Sequence, residues 1–250
     1  MINLFKTRPL LDSFYQQNKI AADKEHLLNI GAMLVEYNQY RDSLTLKSRL
    51  KSGQLEPLLN TAWDISDPAS CVTLLESLLR LPNQNKNSDF VRALLLQRLN
   101  VNAMAYEVLI DPANLYACLE RNCQSLFEKN AAAFDRSQFD AIGNLAAWDI
   151  ERAGLVVRYA YNVNWLAKEE ILAYLEKFHA LAVANYQTWA DYYVAYMKAR
   201  TLFYEQKETE YLDYVYTLRR MYSKPDFFCL KYPLKPSSMD HALTTSKAGE

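Results

Sequence analysis

Two arginines and an aspartate, spaced at helical intervals among tryptophans, are the residues of this chain best suited to chemistry. The run Trp148-Asp149-Ile150-Glu151-Arg152 is followed by Trp165, then by Thr188-Trp189-Ala190-Asp191 and Arg200. Asp149 and Arg152 are three residues apart, so one helical face carries both. Arg200 can approach them from a neighbouring helix. Walled by Trp148, Trp165 and Trp189, such an Asp–Arg–Arg group would suit an anionic ligand. The same group would also serve as an ion-pair cluster that fixes helix register, with indole rings packed on the guanidinium planes. No nucleophile or histidine base stands inside the motif, which favours the structural role.

Other chemistry is thinly represented. Glu176 and His179 form a Glu-x-x-His pair, but metal sites of that type in helical bundles need a second such pair, and none occurs. His26 and His241 lie in unrelated contexts, so no metal and no cofactor is expected. Nucleophile elbows, phosphate-binding loops and kinase signatures are missing, and five glycines leave little material for phosphate cradles. The balance is against an enzyme. Nine tyrosines between Tyr186 and Tyr222 crowd the last two helical stretches. Of these, Tyr192, Tyr193 and Tyr196, and likewise Tyr211, Tyr214 and Tyr216, cannot all point inward on regular helices. Together with Tyr204, Glu208 and Asp213 they are expected to form an exposed face that binds a protein partner.

Charge and composition narrow the classes further. The net charge of −1 gives no global field toward nucleic acid, and the acids among the tyrosines argue against a nucleic-acid surface. No stretch of about 18 apolar residues marks a membrane span. The opening residues lack the pattern of a signal peptide, so a cytoplasmic location is expected. Cys71, Cys118, Cys123 and Cys229 form no metal-binding spacing and read as reduced, buried thiols.

The elements that must position these residues are helical. Half the residues are apolar and turn formers are few, and no alternating run marks a strand. Residues 9–22 open with a short helix. A second runs from 23 to a stop at Lys51-Ser52-Gly53, and 54–63 form a third. Asp67-Pro68 and Asp111-Pro112 are start signals for capped helices, the first ending near Leu81-Pro82. Residues 83–88 read as a loop, and 90–110 as helix. Ser137 caps a helix to residue 162, Ala167-Lys168-Glu169-Glu170 opens the next, and Thr188 and Asp191 form a capping-box start. Residues 208–222 form the last. This predicts an all-α fold of about nine helices, a single domain over 1–236 with a proline-containing C-terminal segment, and a disordered tail over 237–250. The tetrapeptide Ala-Trp-Asp-Ile occurs at 62–65 and 147–150, but the flanking residues do not extend it into a repeat.

Residues 146–203 resemble the bacterial family called domain of unknown function 1266. The matching positions are Trp148, Asp149, Arg152, Trp165, Glu169, Glu170, Trp189 and Arg200. Residues 62–65 with Leu74, Leu75 and Leu78 resemble its opening segment, so the likeness covers about 60–205. Asn164 and Ala199 stand where the family pattern has glycine, and Thr188 where it has serine, which marks a divergent member. The resemblance implies no agreed activity. With the missing catalytic kit and the tyrosine face, it leads to the expectation of a non-enzymatic bacterial protein-binding protein. The sharpest form of that expectation is an immunity protein, antitoxin or adaptor that binds and blocks a cognate toxin. The alternative is a ligand-binding or catalytic helical domain using the Asp/Arg/Trp group.

Overall fold

The computed structural model describes residues 11–39, 42–84, 144–203 and 208–235. Every regular element among them is helical, in agreement with the all-α expectation. After the short α1 (Ser13–Asn18) and a 3-10 segment (Ala22–Asn29) come α2 (Ala32–Gln39), α3 (Ser52–Trp63) and α4 (Pro68–Gln84). The later part supplies α5 (Ala147–Asn162), α6 (Lys168–Asn185), α7 (Trp189–Phe203), α8 (Glu208–Ser223) and the single turn α9 (Phe228–Lys231).

Helix α5 is the axis of the fold, with α2, α3, α4, α6 and α7 packed around it. Of its sixteen residues only Arg152 and Tyr161 keep partial exposure. Leu155, Val156, Val157 and Ala160 point in different directions around the helix, and all can be buried only if it lies within the core. One contact is backbone on backbone. A Cβ added to Gly154 would lie 2.5 Å from the Gly31 nitrogen, and one added to Gly31 would lie 2.5 Å from the Gly154 carbonyl carbon. Gly31 also has φ +78, which bends the chain between the 3-10 segment and α2. The single helix expected from residue 23 to 51 is therefore broken here. Gly53, expected as a helix stop, lies in the first turn of α3. The left-handed cap is Asp64, with φ 54, at the other end of that helix.

Several start signals act as the sequence predicts. The Asp67 carboxylate accepts the Ser70 N–H at 2.9 Å. Thr188 Oγ1 accepts the Asp191 N–H at 3.0 Å while Asp191 Oδ2 accepts the Thr188 N–H at 3.1 Å. Glu170 Oε2 accepts the Ala167 N–H at 2.7 Å. Helix α4 continues through Pro82 to Gln84 rather than stopping at Leu81. Residues 144–146 are not helical, so α5 begins at Ala147. The expected elements over 85–143, including the Ser137 cap and the thiols Cys118 and Cys123, lie outside the described residues, as does the tail. Cys71 and Cys229 are buried and free, and burial pushes their thiols up to about 11 and about 12.

Asn164 has φ 59. It holds the left-handed turn that glycine serves in the family pattern, and asparagine is among the few residues that accept it. Phe227 and Phe228 bury the C-terminal segment against the body. Trp189 Nε1 donates to the Tyr232 carbonyl at 2.9 Å. Glu25 accepts from Tyr232, Lys231 and Tyr15 at 2.6, 2.8 and 3.1 Å, which ties both ends of the described chain to the 3-10 segment.

Candidate functional site

The sequence motif divides in three dimensions. Trp148, Arg152 and Arg200 line one pocket of about 200 Å³, while Trp165 and Trp189 do not. Trp189 packs instead against Tyr192, Tyr193 and His179. The pocket lies among five helices. Leu34, Tyr37 and Asn38 come from α2, Ala62 and Trp63 from α3, and Trp148, Arg152 and Leu155 from α5. Tyr196 and Arg200 come from α7, and Tyr214 from α8.

Arg152 is one of the two α5 residues with partial exposure because its side chain leaves the core here. Its guanidinium carbon lies 4.5 Å from the Trp63 ring centre and 5.0 Å from that of Trp148. The two Ala-Trp-Asp-Ile copies thus place both tryptophans on one guanidinium, although one sits at a helix end and the other in a first turn. Arg152 Nη1 is 3.7 Å from Asp149 Oδ1, the (i, i+3) pair the spacing predicts, with Asp149 wholly buried. The Arg200 guanidinium lies 4.5 Å over the Tyr214 ring. That ring stacks on Tyr37 at 3.9 Å. Tyr196 stacks on Trp148 at 5.5 Å. Its buried hydroxyl makes no hydrogen bond of acceptable geometry, although the Tyr214 phenol is near enough to couple to it. Burial raises the Tyr196 hydroxyl's pKa, with Arg200 and Arg152 pulling the other way.

The expected tyrosine face is corrected. Tyr192, Tyr193, Tyr196 and Tyr214 are buried, and of the described tyrosines of that face Tyr216, at 57% exposure, is the one that stands in solvent. Tyr204 lies outside the described residues, and the side chains of Tyr211, Glu208 and Asp213 are not described. The buried rings point inward because most find buried partners for their polar ends. Tyr192 donates to Glu151 Oε2 at 2.7 Å and Tyr193 to the Asn29 carbonyl at 2.9 Å. Tyr186 donates to the Asn144 carbonyl and accepts the Ala147 N–H, each at 2.8 Å. Tyr214 is held between Tyr37 and Arg200.

Sequence reasoning passed over the larger polar system on α5. Glu151 is wholly buried and accepts the Gly31 and Leu34 N–H groups at 3.0 and 3.1 Å. It thereby caps α2 across the core, where a negative charge suits the helix dipole. Burial raises its carboxyl to about 7 against the opposing bonds from Tyr192 and the α2 amides. Two turns on, Arg158 donates to the carbonyls of Ser43, Thr45, Leu28 and Ile30, and burial lowers it to about 10. Asn162 donates to the Leu46 carbonyl at 2.8 Å and accepts the Ser48 N–H at 2.9 Å. The signal was available, since charges on a helix whose apolar residues point in every direction must find partners in the core.

Glu176 and His179 separate in function. Glu176 pairs with Lys24 at 2.6 Å. His179 meets the edge of His26 at 4.9 Å, although the sequence placed His26 in an unrelated context. Burial and then His26 lower His179 to about 4. No helix among the described residues is long and apolar enough to cross a membrane.

These features define an all-helical protein with an arginine-and-aromatic pocket at the meeting point of five helices. The chain belongs to the family of proteins of unknown function DUF1266, whose profile matches residues 58–233. The matched region extends beyond the motif-bearing stretch to include α8 and the docked C-terminal segment. A bacterial relative, the uncharacterized protein YbeR of Escherichia coli (strain K12), is 31% identical over 70 residues. That segment spans 28% of this chain and 29% of YbeR. No solved structure matches the chain.

Proposed function

We propose that this chain is a non-enzymatic binding protein of the bacterial cytoplasm that engages a protein partner through the Arg152–Arg200 pocket. In its sharpest form it is an immunity or adaptor protein that binds and blocks a cognate toxin. The observation carrying the reading is the lining of the pocket. Trp, Tyr and Arg are the residue types that dominate binding energy at protein interfaces, and Trp63, Trp148, Tyr37, Tyr196, Tyr214, Arg152 and Arg200 meet here. A cavity of about 200 Å³ is smaller than the roughly 300–1,000 Å³ that encloses a drug-sized ligand. It suits one side chain better than a whole molecule. Exposed Leu58 stands four residues before the pocket residue Ala62 on α3, so apolar surface continues outward along that helix.

The test is capture of partners by the tagged full chain from its host, in parallel with Ala62→Arg. Ala62 is exposed, so the variant should fold while a long cationic side chain blocks the mouth. A stoichiometric partner lost with Ala62→Arg supports the reading, and a partner retained by the variant sinks it. The toxin form further requires that deletion of this gene be tolerated only when the partner gene is also deleted.

A free small ligand is the second reading. It is favoured by the Tyr196 hydroxyl, buried at the pocket with the Tyr214 phenol beside it but no hydrogen bond of good geometry.

A further inference from the structure

We infer that the pocket is a receptor for a carboxylate carried on an apolar body, an inference that rests on the binding reading above and names the chemistry of what enters. Orientation is the first argument. Arg152 has indole rings near its guanidinium on α3 and α5, and Arg200 lies over Tyr214. With a guanidinium's face engaged by aromatic rings, its hydrogen-bonding capacity lies in its plane. That plane matches the two oxygens of a carboxylate. Each guanidinium has five donors, so a bond to a protein neighbour leaves others for a ligand.

Charge is the second argument. Asp149, wholly buried, stands 3.7 Å from Arg152 and already offsets part of the positive field. Two guanidiniums and one carboxylate leave about one net positive charge, which a singly charged carboxylate neutralises, whereas a doubly charged phosphate would leave an unmatched negative charge to be desolvated among the rings. The third argument is the Tyr196 hydroxyl. It is wholly buried, makes no hydrogen bond of good geometry although the Tyr214 phenol lies beside it as a donor, and is within electrostatic reach of both arginines, so its own O–H remains to be given. It is a donor suited to one more oxygen. The walls of Trp63, Trp148, Tyr37 and Leu34 then require an apolar body behind the charged group.

The experiment titrates the full-length chain with benzoate, benzamide and inorganic phosphate, following tryptophan emission and the melting temperature. Benzoate should bind saturably and about tenfold or more tighter than neutral benzamide, with phosphate weaker than benzoate. Arg200→Gln should lose that preference. Asn38→Asp and Asn38→Lys provide a test that does not disturb the core, because Asn38 lines the pocket and is exposed. The first should weaken benzoate and the second strengthen it. Equal binding of benzamide, stronger binding of phosphate, or indifference to the Asn38 pair would overturn the inference. Benzoate titration needs no partner, so its failure is separable from failure of the capture experiment. Where a partner is in hand, its displacement by benzoate assigns the carboxylate to the partner. Binding of benzoate alongside the partner assigns it to a free acid.

Discussion

One helix, α5, carries two charged systems with opposite surroundings. Glu151 and Arg158 face the 3-10 segment, α2 and the turns over residues 42–48, where their acceptors and donors are met almost entirely by backbone. Asp149 and Arg152 lead toward α3, α7 and α8, where aromatic rings and a second arginine surround an open pocket. Residue type does not distinguish the systems, since each is an acid and an arginine. The difference lies in what closes over them. A charge enclosed by fixed backbone dipoles acts as a structural fastener. A charge flanked by rings beside a cavity keeps donor capacity in one direction.

Breaking the closed side should have the largest effects. Arg158→Ala leaves four carbonyls without their donor in the core and should lower stability by about 3–5 kcal/mol. Chemical denaturation would measure this, and a loss comparable to a surface substitution would refute the fastener role. Gly154→Val drives a Cβ into the Gly31 backbone and should cost about 3 kcal/mol, or prevent folding. Normal expression with an unchanged melting temperature would contradict the close approach.

The pH dependence follows from Glu151. Its folded pKa, about 7, is raised above the ordinary 4.5. The folded state therefore holds the proton more tightly than the unfolded one. Its contribution is fully present below pH 4.5 and is lost as pH rises through 7, on the order of 3 kcal/mol in all. Glu151→Gln should flatten that decline across pH 5–8 relative to the parent chain. Parallel stability curves for the two proteins would show that burial does not win at this carboxyl.

Changes on the pocket side should be milder for the fold and stronger for binding. Arg152→Ala removes the neighbour of buried Asp149 and should cost about 1–3 kcal/mol, with circular dichroism still helical. Complete unfolding would move Arg152 into the same class as Arg158 and erase the contrast. Asn38→Asp should change stability by no more than about 0.5 kcal/mol while weakening carboxylate binding. A melting shift well beyond that would mean that the pocket rim supports the core.

The sequence supported some of this unevenly. Asp67, Thr188 with Asp191, and Ala167 with Glu170 announced their helices because capping is local, set by three or four residues whose hydrogen bonds do not depend on the rest of the fold. The Asp149–Arg152 pair was legible for the same reason. Trp63 was in view through its family-like segment, but its place on Arg152 depends on the packing of α3 against α5, which no local spacing encodes. The tyrosines of α7 misled because helical periodicity assigns each side chain a direction but not what lies there. Tyr192 and Tyr193 point different ways, and both meet core.

Composition and periodicity by themselves determined an all-helical chain and several of the described helix starts, and the order of the tryptophan motifs carried the resemblance to the family. Those are properties of short stretches, fixed by local hydrogen bonding and by the separation of apolar from polar faces. Only the tertiary structure decided that α5 would be enclosed on every side, that Glu151 would cap a helix more than a hundred residues away, and that Trp165 and Trp189 would part from Trp148. It also decided that Arg152 and Arg200 would share one pocket. Each of these depends on which surfaces meet, and that is settled by the joint burial of distant segments rather than by any residue's neighbours in sequence.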